Sequence, residues 1–248
     1  MPPSVEIPPR LLQDLRSAQN VAALTGAGVS QESGLRTFRD PMDGLWAQYR
    51  PEDLATLDAF ERDPELVWEF YAMRRLKGGQ VQPNPGHYAL AEIGRRIPYF
   101  SLITQNVDGL HQRAGSSDVI ELHGNITRLR CSRDCGPVTE WKDDPKKIPR
   151  CPRCGANLRP DVVWFGEMLP EIELERAIEA ARASRVFLSI GTSAVVHPAA
   201  TLPILAKESG ACLVEINPEK TPLTASADYF LQGKSGEILP ELVRQIWR

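Results

Sequence analysis

The residues best suited to chemistry lie between positions 102 and 123, where the chain reads LITQNVDGLHQRAGSSDVIELH. Two apolar runs enclose a polar hairpin of amides and acids, Gln105, Asn106 and Asp108 among them, and His123 closes the stretch. Amides carry donors and acceptors, carboxylates accept, and a histidine titrates close to neutral pH, so this mixture suits a reactive site better than a core. A lone histidine at a strand end is by default a satisfied structural residue, and amides such as Asn106 can simply cap the next helix. Taken alone, the stretch leaves those readings open.

Cysteine supplies the second chemical signal. Of five cysteines, four form two knuckles, Cys131-x-x-x-Cys135 and Cys151-x-x-Cys154, separated by fifteen residues. Four thiolates at that spacing can close tetrahedrally on one zinc, and Gly155 lets backbone amides fold around sulfur. With every position filled by protein the metal has no open site, so it stabilises a small module and does not activate water. The odd total and the clustering argue against a secreted disulfide framework, and the second pair argues against a redox dithiol. Cys212, within ACLVEI, is expected as a buried strand thiol.

Regular elements must hold these groups. An amphipathic helix is expected over residues 11–18, and the apolar run 21–24 leads into Thr25-Gly26-Ala27-Gly28-Val29-Ser30, a strand, a glycine-rich turn and then a helix. Such glycines let backbone approach a ligand, and turn amides at the positive end of a helix favour a diphosphate. A tight turn needing positive φ would look the same. Residues 33–40, SGLRTFRD, carry two arginines and an aromatic where a dinucleotide fold continues its helix, and are expected to reach over a nucleotide as a lid. From position 51 to 75 the pattern is helical, and Gly78-Gly79 is expected to stop it. Asn84-Pro85-Gly86-His87 introduces a helix over 88–97. Strands are expected at 99–103, 119–122, 186–190 and 212–216, with helices at 170–183 and 199–209. That alternation predicts a parallel sheet covered on both faces.

Composition bounds the partners. A chain of 248 residues is long enough for one large domain or a main domain with a smaller insert. With 29 basic against 32 acidic residues, the net charge of -3 leaves no electrostatic footprint for nucleic acid or an anionic membrane. The N-terminal MPPSVEIPPR has no apolar core behind a basic region, and no apolar run approaches the ~20 residues of a membrane helix. The expectation is a soluble cytoplasmic protein, a monomer, with no nucleic acid or membrane as partner.

GAGVSQESGLRTFRD, TQNVDGLH, LHGN, the four cysteines, PDVVWFGE, GTSAVVHP and VEINPE occur in one chain in that order. Together they resemble the sirtuins, NAD-dependent protein lysine deacylases, over nearly the whole length. The resemblance implies an α/β fold: a Rossmann-like parallel-sheet domain (residues 1–40, 86–125 and 161–248) carrying a small module made of a helical insertion (41–85) and a zinc-binding insertion (126–160). It also implies the family chemistry. The acyl oxygen of a modified lysine attacks the anomeric carbon of the nicotinamide ribose, nicotinamide leaves, and the acyl group ends on ADP-ribose while the lysine is freed.

In that register His123, within LHGN, is the catalytic base, able to accept a proton and return it. Gln105 contacts a ribose, while Asn106 and Asp108 line the pocket of the nicotinamide carboxamide. Gly26, Ala27 and Gly28 meet the diphosphate side, Phe38 shields the reactive carbon after nicotinamide departs, and Arg39 binds phosphate or ribose. Gly191, Thr192, Ser193 and Asn217 follow strand ends, where ligands of parallel sheets bind. Ser235 is placed at the adenine through its backbone. His111 is expected to orient backbone, and His87 and His197 to serve as caps or turns.

Val162-Val163-Trp164-Phe165-Gly166-Glu167 resembles the family segment that pairs with an extended substrate peptide through backbone hydrogen bonds. Trp164 departs from the smaller or phenyl residues expected there, and either narrows the acyl-lysine tunnel or packs against the zinc module. Tyr71 and Arg74 stand three apart in an expected helix and share a face. A guanidinium with a phenol beside it can bind a carboxylate in a forked geometry. In the family's desuccinylase and demalonylase subgroup a Tyr-x-x-Arg pair at this place recognises the distal carboxylate of the acyl chain; a solvated Arg74 favoured by the helix dipole is the plain alternative. The expectation is removal of succinyl and malonyl groups from protein lysines, with deacetylase activity retained, giving nicotinamide, 2'-O-acyl-ADP-ribose and free lysine. NAD is the co-substrate, zinc the structural metal, and acylated-lysine proteins or peptides the partners. A plain deacetylase, a mono-ADP-ribosyl transferase and a non-catalytic NAD-sensing module are the alternatives.

Overall fold

Every residue from 21 to 24 is buried, and successive side chains of an extended strand point to opposite faces. Val21 and Ala23 join a cluster with Leu11, Leu90 and Leu242, while Ala22 and Leu24 join another with Ala177, Phe187 and Leu202. A strand apolar on both faces belongs inside a sheet covered on both sides. The computed structural model, which describes residues 6–35, 49–142, 144 and 146–247, has that arrangement.

Strands β1 (Asn20–Thr25), β2 (Tyr99–Thr104) and β3 (Ile120–Glu121) come first, then β4 (Gly124–Cys131), β5 (Pro137–Val138) and β6 (Leu158–Val162), and last β7 (Val186–Ile190), β8 (Cys212–Asn217) and β9 (Tyr229–Gln232). The first and last groups form one parallel sheet in the order β3-β2-β1-β7-β8-β9. The middle group forms a separate antiparallel sheet, β5-β4-β6. This is the Rossmann-like α/β class that the sequence implies. Because β4 begins at Gly124 and β6 ends at Val162, the small sheet reaches just outside the expected 126–160 insertion. No helix among the described residues is long and apolar enough to cross a membrane.

The helices in chain order are α1 (Pro9–Ser17), α2 (Gly28–Gln31), α3 (Pro51–Leu54), α4 (Leu57–Arg62), α5 (Pro64–Gln80), α6 (Pro85–Arg96), α7 (Leu110–Arg113), α8 (Glu171–Ala183), α9 (Leu202–Glu208) and α10 (Ser235–Trp247). Apolar residues of α1, α6 and α10 cover one face of the parallel sheet, and those of α8 and α9 the other. Helices α3 to α5 contribute Leu54, Phe60, Val67 and Tyr71 to a third core with Ile126, Val162 and Trp164.

Several local expectations need correction. The helical pattern from 51 to 75 is three helices, because Thr56 caps α4 by accepting from the Ala59 amide (3.1 Å) and Asp63 caps α5 by accepting from Leu66 (3.0 Å). Gly78-Gly79 does not stop α5, which continues to Gln80. Two interior glycines each cost about 1 kcal/mol of helix propensity, but Arg113 donates to the carbonyls of Gly78 (3.0 Å) and Val81 (2.7 Å) and ties down the helix end. Helix α6 begins three residues before 88, since Asn84 caps it with its side chain on the Gly86 amide (2.9 Å). Residues 199–201 form a 3-10 turn before α9. Cys212 opens β8 half-buried, not enclosed. Beyond the expected elements lie β9 and α10; Pro240 inside α10 argues locally against a helix, and burial of Ile238, Leu239, Leu242 and Ile246 overrides it.

Candidate active site

Parallel register sets Thr104, Thr25, Ile190 and Ile216 side by side at the carboxyl ends of β2, β1, β7 and β8. The chain winds outward from β1 on one side and from β7 on the other, so a crevice opens between those two ends. There the Gly26 amide donates to the Ile190 carbonyl (3.0 Å) and the Gly28 amide to that of Gly191 (2.8 Å). A Cβ on Gly26 would stand 2.8 Å from the Gly191 oxygen, and one on Gly28 2.7 Å from it. Ligand approach therefore explains these glycines only in part; the turn beside them also forbids a side chain. Gly28→Ala is expected to destabilise the fold by about 1–3 kcal/mol, read as a lower midpoint in thermal or urea unfolding. The helix that follows, α2, is only four residues long.

Over the strand ends lies a cavity of about 1170 Å³. Gly26, Ala27, Gly28, Gln105, Asn106, Asp108 and His123 line its floor, and Gly191, Thr192, Ser193 and Asn217 close one side. Tyr71, Arg74 and the segment from Val162 to Gly166 line it as well. Phe38, Arg39 and the rest of the expected lid beyond residue 35 lie outside the described residues. Ser235 belongs to a smaller neighbouring cavity with Gly28, Gln31 and Lys234, its hydroxyl donating to Glu32 (3.2 Å).

One polar knot organises the floor. Ser30, absent from the sequence expectations, donates to the Asp108 carboxylate (2.7 Å) and accepts from the Asn106 amide (3.1 Å). The same Asn106 amide nitrogen donates to the Gly26 carbonyl (3.0 Å), so it holds the glycine turn and caps no helix. Asp108 is the residue that meets the α7 amides, accepting from Leu110 (2.9 Å). Burial pushes the Asp108 carboxyl up, against the Leu110 amide, the Ser30 hydroxyl and the Arg74 cation, which pull it down. Only its position four residues after Gly26 could have marked Ser30, and a serine there reads as an ordinary first-turn residue.

Gln105 donates to the Thr192 hydroxyl (3.1 Å), and Asn217 donates to the Thr192 carbonyl (2.9 Å), joining the ends of β2, β7 and β8. His123 Nδ1 lies 2.9 Å from the Gln105 carbonyl oxygen. A carbonyl only accepts, so neutral His123 carries its proton on Nδ1 and keeps a lone pair on Nε2. Burial lowers its pKa and so favours that neutral form, opposed by the Gln105 bond, which raises it. His87 and His111 sit behind the knot with ring centroids 4.8 Å apart. His87 Nδ1 accepts the Asn84 amide as part of the α6 cap, as expected, and His111 Nε2 lies 2.9 Å from the Thr25 hydroxyl. Burial pushes His87 down to about 4, and burial with the neighbouring His87 pushes His111 down to about 3, so both are neutral fillers. His197 lies in a turn among the residues that line the cavity, as expected.

Above the floor, the Tyr71 hydroxyl accepts the Trp164 indole N–H at 2.9 Å. Trp164 thus lines the cavity and packs on Phe60 and Tyr71 of the helical segment; it is not part of the zinc-side core. Arg74 lies one turn along, half-buried, its guanidinium 5.5 Å from the Phe70 ring centroid. Burial lowers its pKa, opposed by Tyr71 and Asp108, so this cation sits where an anionic ligand is weakly screened. The amides of Val163, Trp164 and Phe165 are donated to His123, Glu167 and Ala55 respectively. A peptide laid along this segment therefore finds these three N–H groups already engaged.

The sulfurs of Cys131, Cys135, Cys151 and Cys154 all lie within 4.8 Å of one another. Four thiols on so small a radius, two buried and none paired as a disulfide, fit one tetrahedral zinc.

The strand-end crevice and its glycine turn define the class, an α/β fold of the dinucleotide-binding kind. Residues 26–198 match the Sir2 family. An NAD-dependent protein deacylase of Pyrococcus furiosus is 52% identical over 241 residues, covering 94% of this chain and 96% of the relative. NAD-dependent protein deacylase 1 of Pseudomonas aeruginosa is 49% identical over 239 residues, covering 93% and 96%. The crystal structure of a Sir2 homolog–NAD complex matches with a TM-score of 0.92 at 49% identity, over 98% of this chain and 95% of that one. The chain belongs to the Sir2 family.

Proposed function

We propose that this chain is an NAD-dependent protein-lysine deacylase that prefers succinyl and malonyl groups and also removes acetyl. The observation that carries the reading is one cavity in which the His123 lone pair, the Asn106–Asp108 floor and the Tyr71–Arg74 pair all converge. Membership of a family whose named relatives are NAD-dependent protein deacylases supports the reaction class. A strand-end crevice lined by the glycine turn Gly26–Gly28 suits a diphosphate brought against bare backbone. NAD, when bound, supplies ADP-ribose as acyl acceptor and nicotinamide as leaving group.

The chain's own residues divide the work. Gly26, Ala27 and Gly28 offer backbone to the diphosphate, with Thr192, Ser193, Asn217 and Ser235 along the nucleotide. Gln105 holds a ribose while Asn106 and Asp108 orient the carboxamide. His123 takes up a proton at Nε2 and returns it. Phe38 and Arg39 are assigned to cover and phosphate binding. The Val162–Gly166 segment docks the peptide, and Tyr71 with Arg74 binds the distal carboxylate of the acyl chain. Cys131, Cys135, Cys151 and Cys154 hold a structural zinc. In this assignment residues 1–40, 86–125 and 161–248 form the catalytic domain, with the helical insertion at 41–85 and the zinc insertion at 126–160.

Acetyl-, malonyl- and succinyl-lysine peptides of one sequence, incubated with the protein with and without NAD, test the reading. Acyl loss should require NAD and run fastest on the acidic chains. Arg74→Met is expected to lower kcat/KM for the succinyl peptide about 10–100-fold, the worth of one or two charged hydrogen bonds in a partly buried site. Turnover of the acetyl peptide alone, with Arg74→Met neutral, would leave a plain deacetylase. No NAD-dependent acyl loss at all would leave an NAD-binding module.

A further inference from the structure

Trp164 is 2% exposed, yet its indole N–H is not spent on water or backbone: it is donated to the Tyr71 hydroxyl at 2.9 Å. A phenol oxygen has one proton of its own, which prefers the ring plane and so has two orientations. An incoming N–H removes the orientation that faces it. The Tyr71 proton is left to point away from Trp164, and Tyr71 lines the cavity with Arg74 one turn along the same helix face.

The indole itself is held from every side. The Arg159 guanidinium lies 3.6 Å from the Trp164 ring centroid, and the Phe60 ring is 5.3 Å away, centroid to centroid. Glu167 grips Arg159 with both oxygens (2.6 and 2.7 Å) and accepts the Trp164 backbone amide with one of them (2.8 Å). Arg159 also donates to the Val162 carbonyl (2.8 Å). Strand, ring plane and N–H direction are therefore fixed together. A phenyl ring at this position would fill the space but leave the Tyr71 hydroxyl free to turn.

We propose that Trp164 is a specificity-determining positioning residue, which locks the Tyr71 hydroxyl as a donor toward the acyl group and so favours chains ending in a carboxylate over acetyl. The proposal rests on the acidic-acyl reading of Tyr71 and Arg74. A carboxylate only accepts, so a fixed donor beside a guanidinium matches it, while a methyl group gains nothing from it. Burial pushes the Tyr71 phenol up to about 12, which keeps its proton in place across the working pH range.

The test compares kcat/KM for succinyl- and acetyl-lysine peptides of one sequence, with NAD, in the intact protein and in Trp164→Phe, Tyr71→Phe, the double variant and Arg74→Met. Trp164→Phe should lower the succinyl-to-acetyl ratio about tenfold, mainly through the KM of the succinyl peptide, and should lower it no further once Tyr71 is already phenylalanine. A ratio unmoved by Trp164→Phe while Arg74→Met lowers it would overturn the proposal and leave the acidic-acyl reading standing. So would an equal loss on both peptides, or effects of the two ring variants that simply multiply. A ratio unmoved by Arg74→Met removes the acidic-acyl reading, and the proposal with it. Should Trp164→Phe fail to fold, the ¹⁵N-labelled indole signal of Trp164 decides: it should shift in Tyr71→Phe and on adding succinyl-lysine peptide, and a signal indifferent to both overturns the proposal.

Discussion

His123→Ala is expected to lower NAD-dependent deacylation by about 10²–10⁴-fold, the usual worth of a positioned general base, with a smaller effect on peptide KM. The size follows from geometry. His123 Nδ1 is engaged by the Gln105 carbonyl, which leaves Nε2 as the ring's free lone pair in a cavity that also holds Asn106 and Asp108. Its pKa is lowered by burial. A base works when unprotonated, so a lowered pKa carries full activity to a more acid pH than an ordinary histidine, near 6.5, would allow. The acid limb of a kcat/KM profile should fall with a single proton below that value. A limb at or above 6.5, or a variant within threefold of the parent, would mean that His123 is not the base.

Loss of the zinc site should have the largest effect on stability. Beside the cysteines, the fully buried core of the module holds, among the described residues, Trp68, Leu129, Val138 and Leu158, with Trp141, Ile148 and Ala156 partly buried against it, too little apolar surface to order a two-residue β5 and its long connections unaided. Four-ligand structural zinc sites carry apparent binding free energies of about 10–16 kcal/mol, comparable to the whole stability of a typical domain at about 5–15 kcal/mol. Cys151→Ala is therefore expected to bind less than one zinc per chain and to lower the unfolding midpoint by ten degrees or more. Trp68 stands one turn before Tyr71 on α5, so the metal-depleted protein should also bind succinyl-lysine peptide more weakly. Parent-like melting in a zinc-free protein would refute the structural assignment.

Much of this was legible in the sequence, for identifiable reasons. Ligand spacing in the cysteine knuckles is a local property, and a tetrahedral site leaves few other uses for two such pairs. The strands were legible as short apolar runs because both faces of the parallel sheet are covered, so no polar alternation masks them. Helix ends are less legible. The Gly78-Gly79 pair looked like a stop signal because Arg113, 32 residues after Val81, is invisible to a local reading of α5. A helix-capping Asn106 stays open to a local reading because its partners, Gly26 and Ser30, arrive from the turn and helix that follow β1.

By itself the sequence determined the parallel sheet, the cysteine cluster, the glycine turn and the histidine that follows Leu122, all of them features of composition and short-range order. Tertiary structure alone decided which ring nitrogen of His123 is free, that Gly28 is barred from a side chain by Gly191, and that Trp164 reaches across 93 positions to the Tyr71 hydroxyl. The physical reason is common to the three. Hydrogen-bond direction and steric exclusion act over a few ångströms in space, and residues distant in the chain become neighbours only when the strand ends are brought into register.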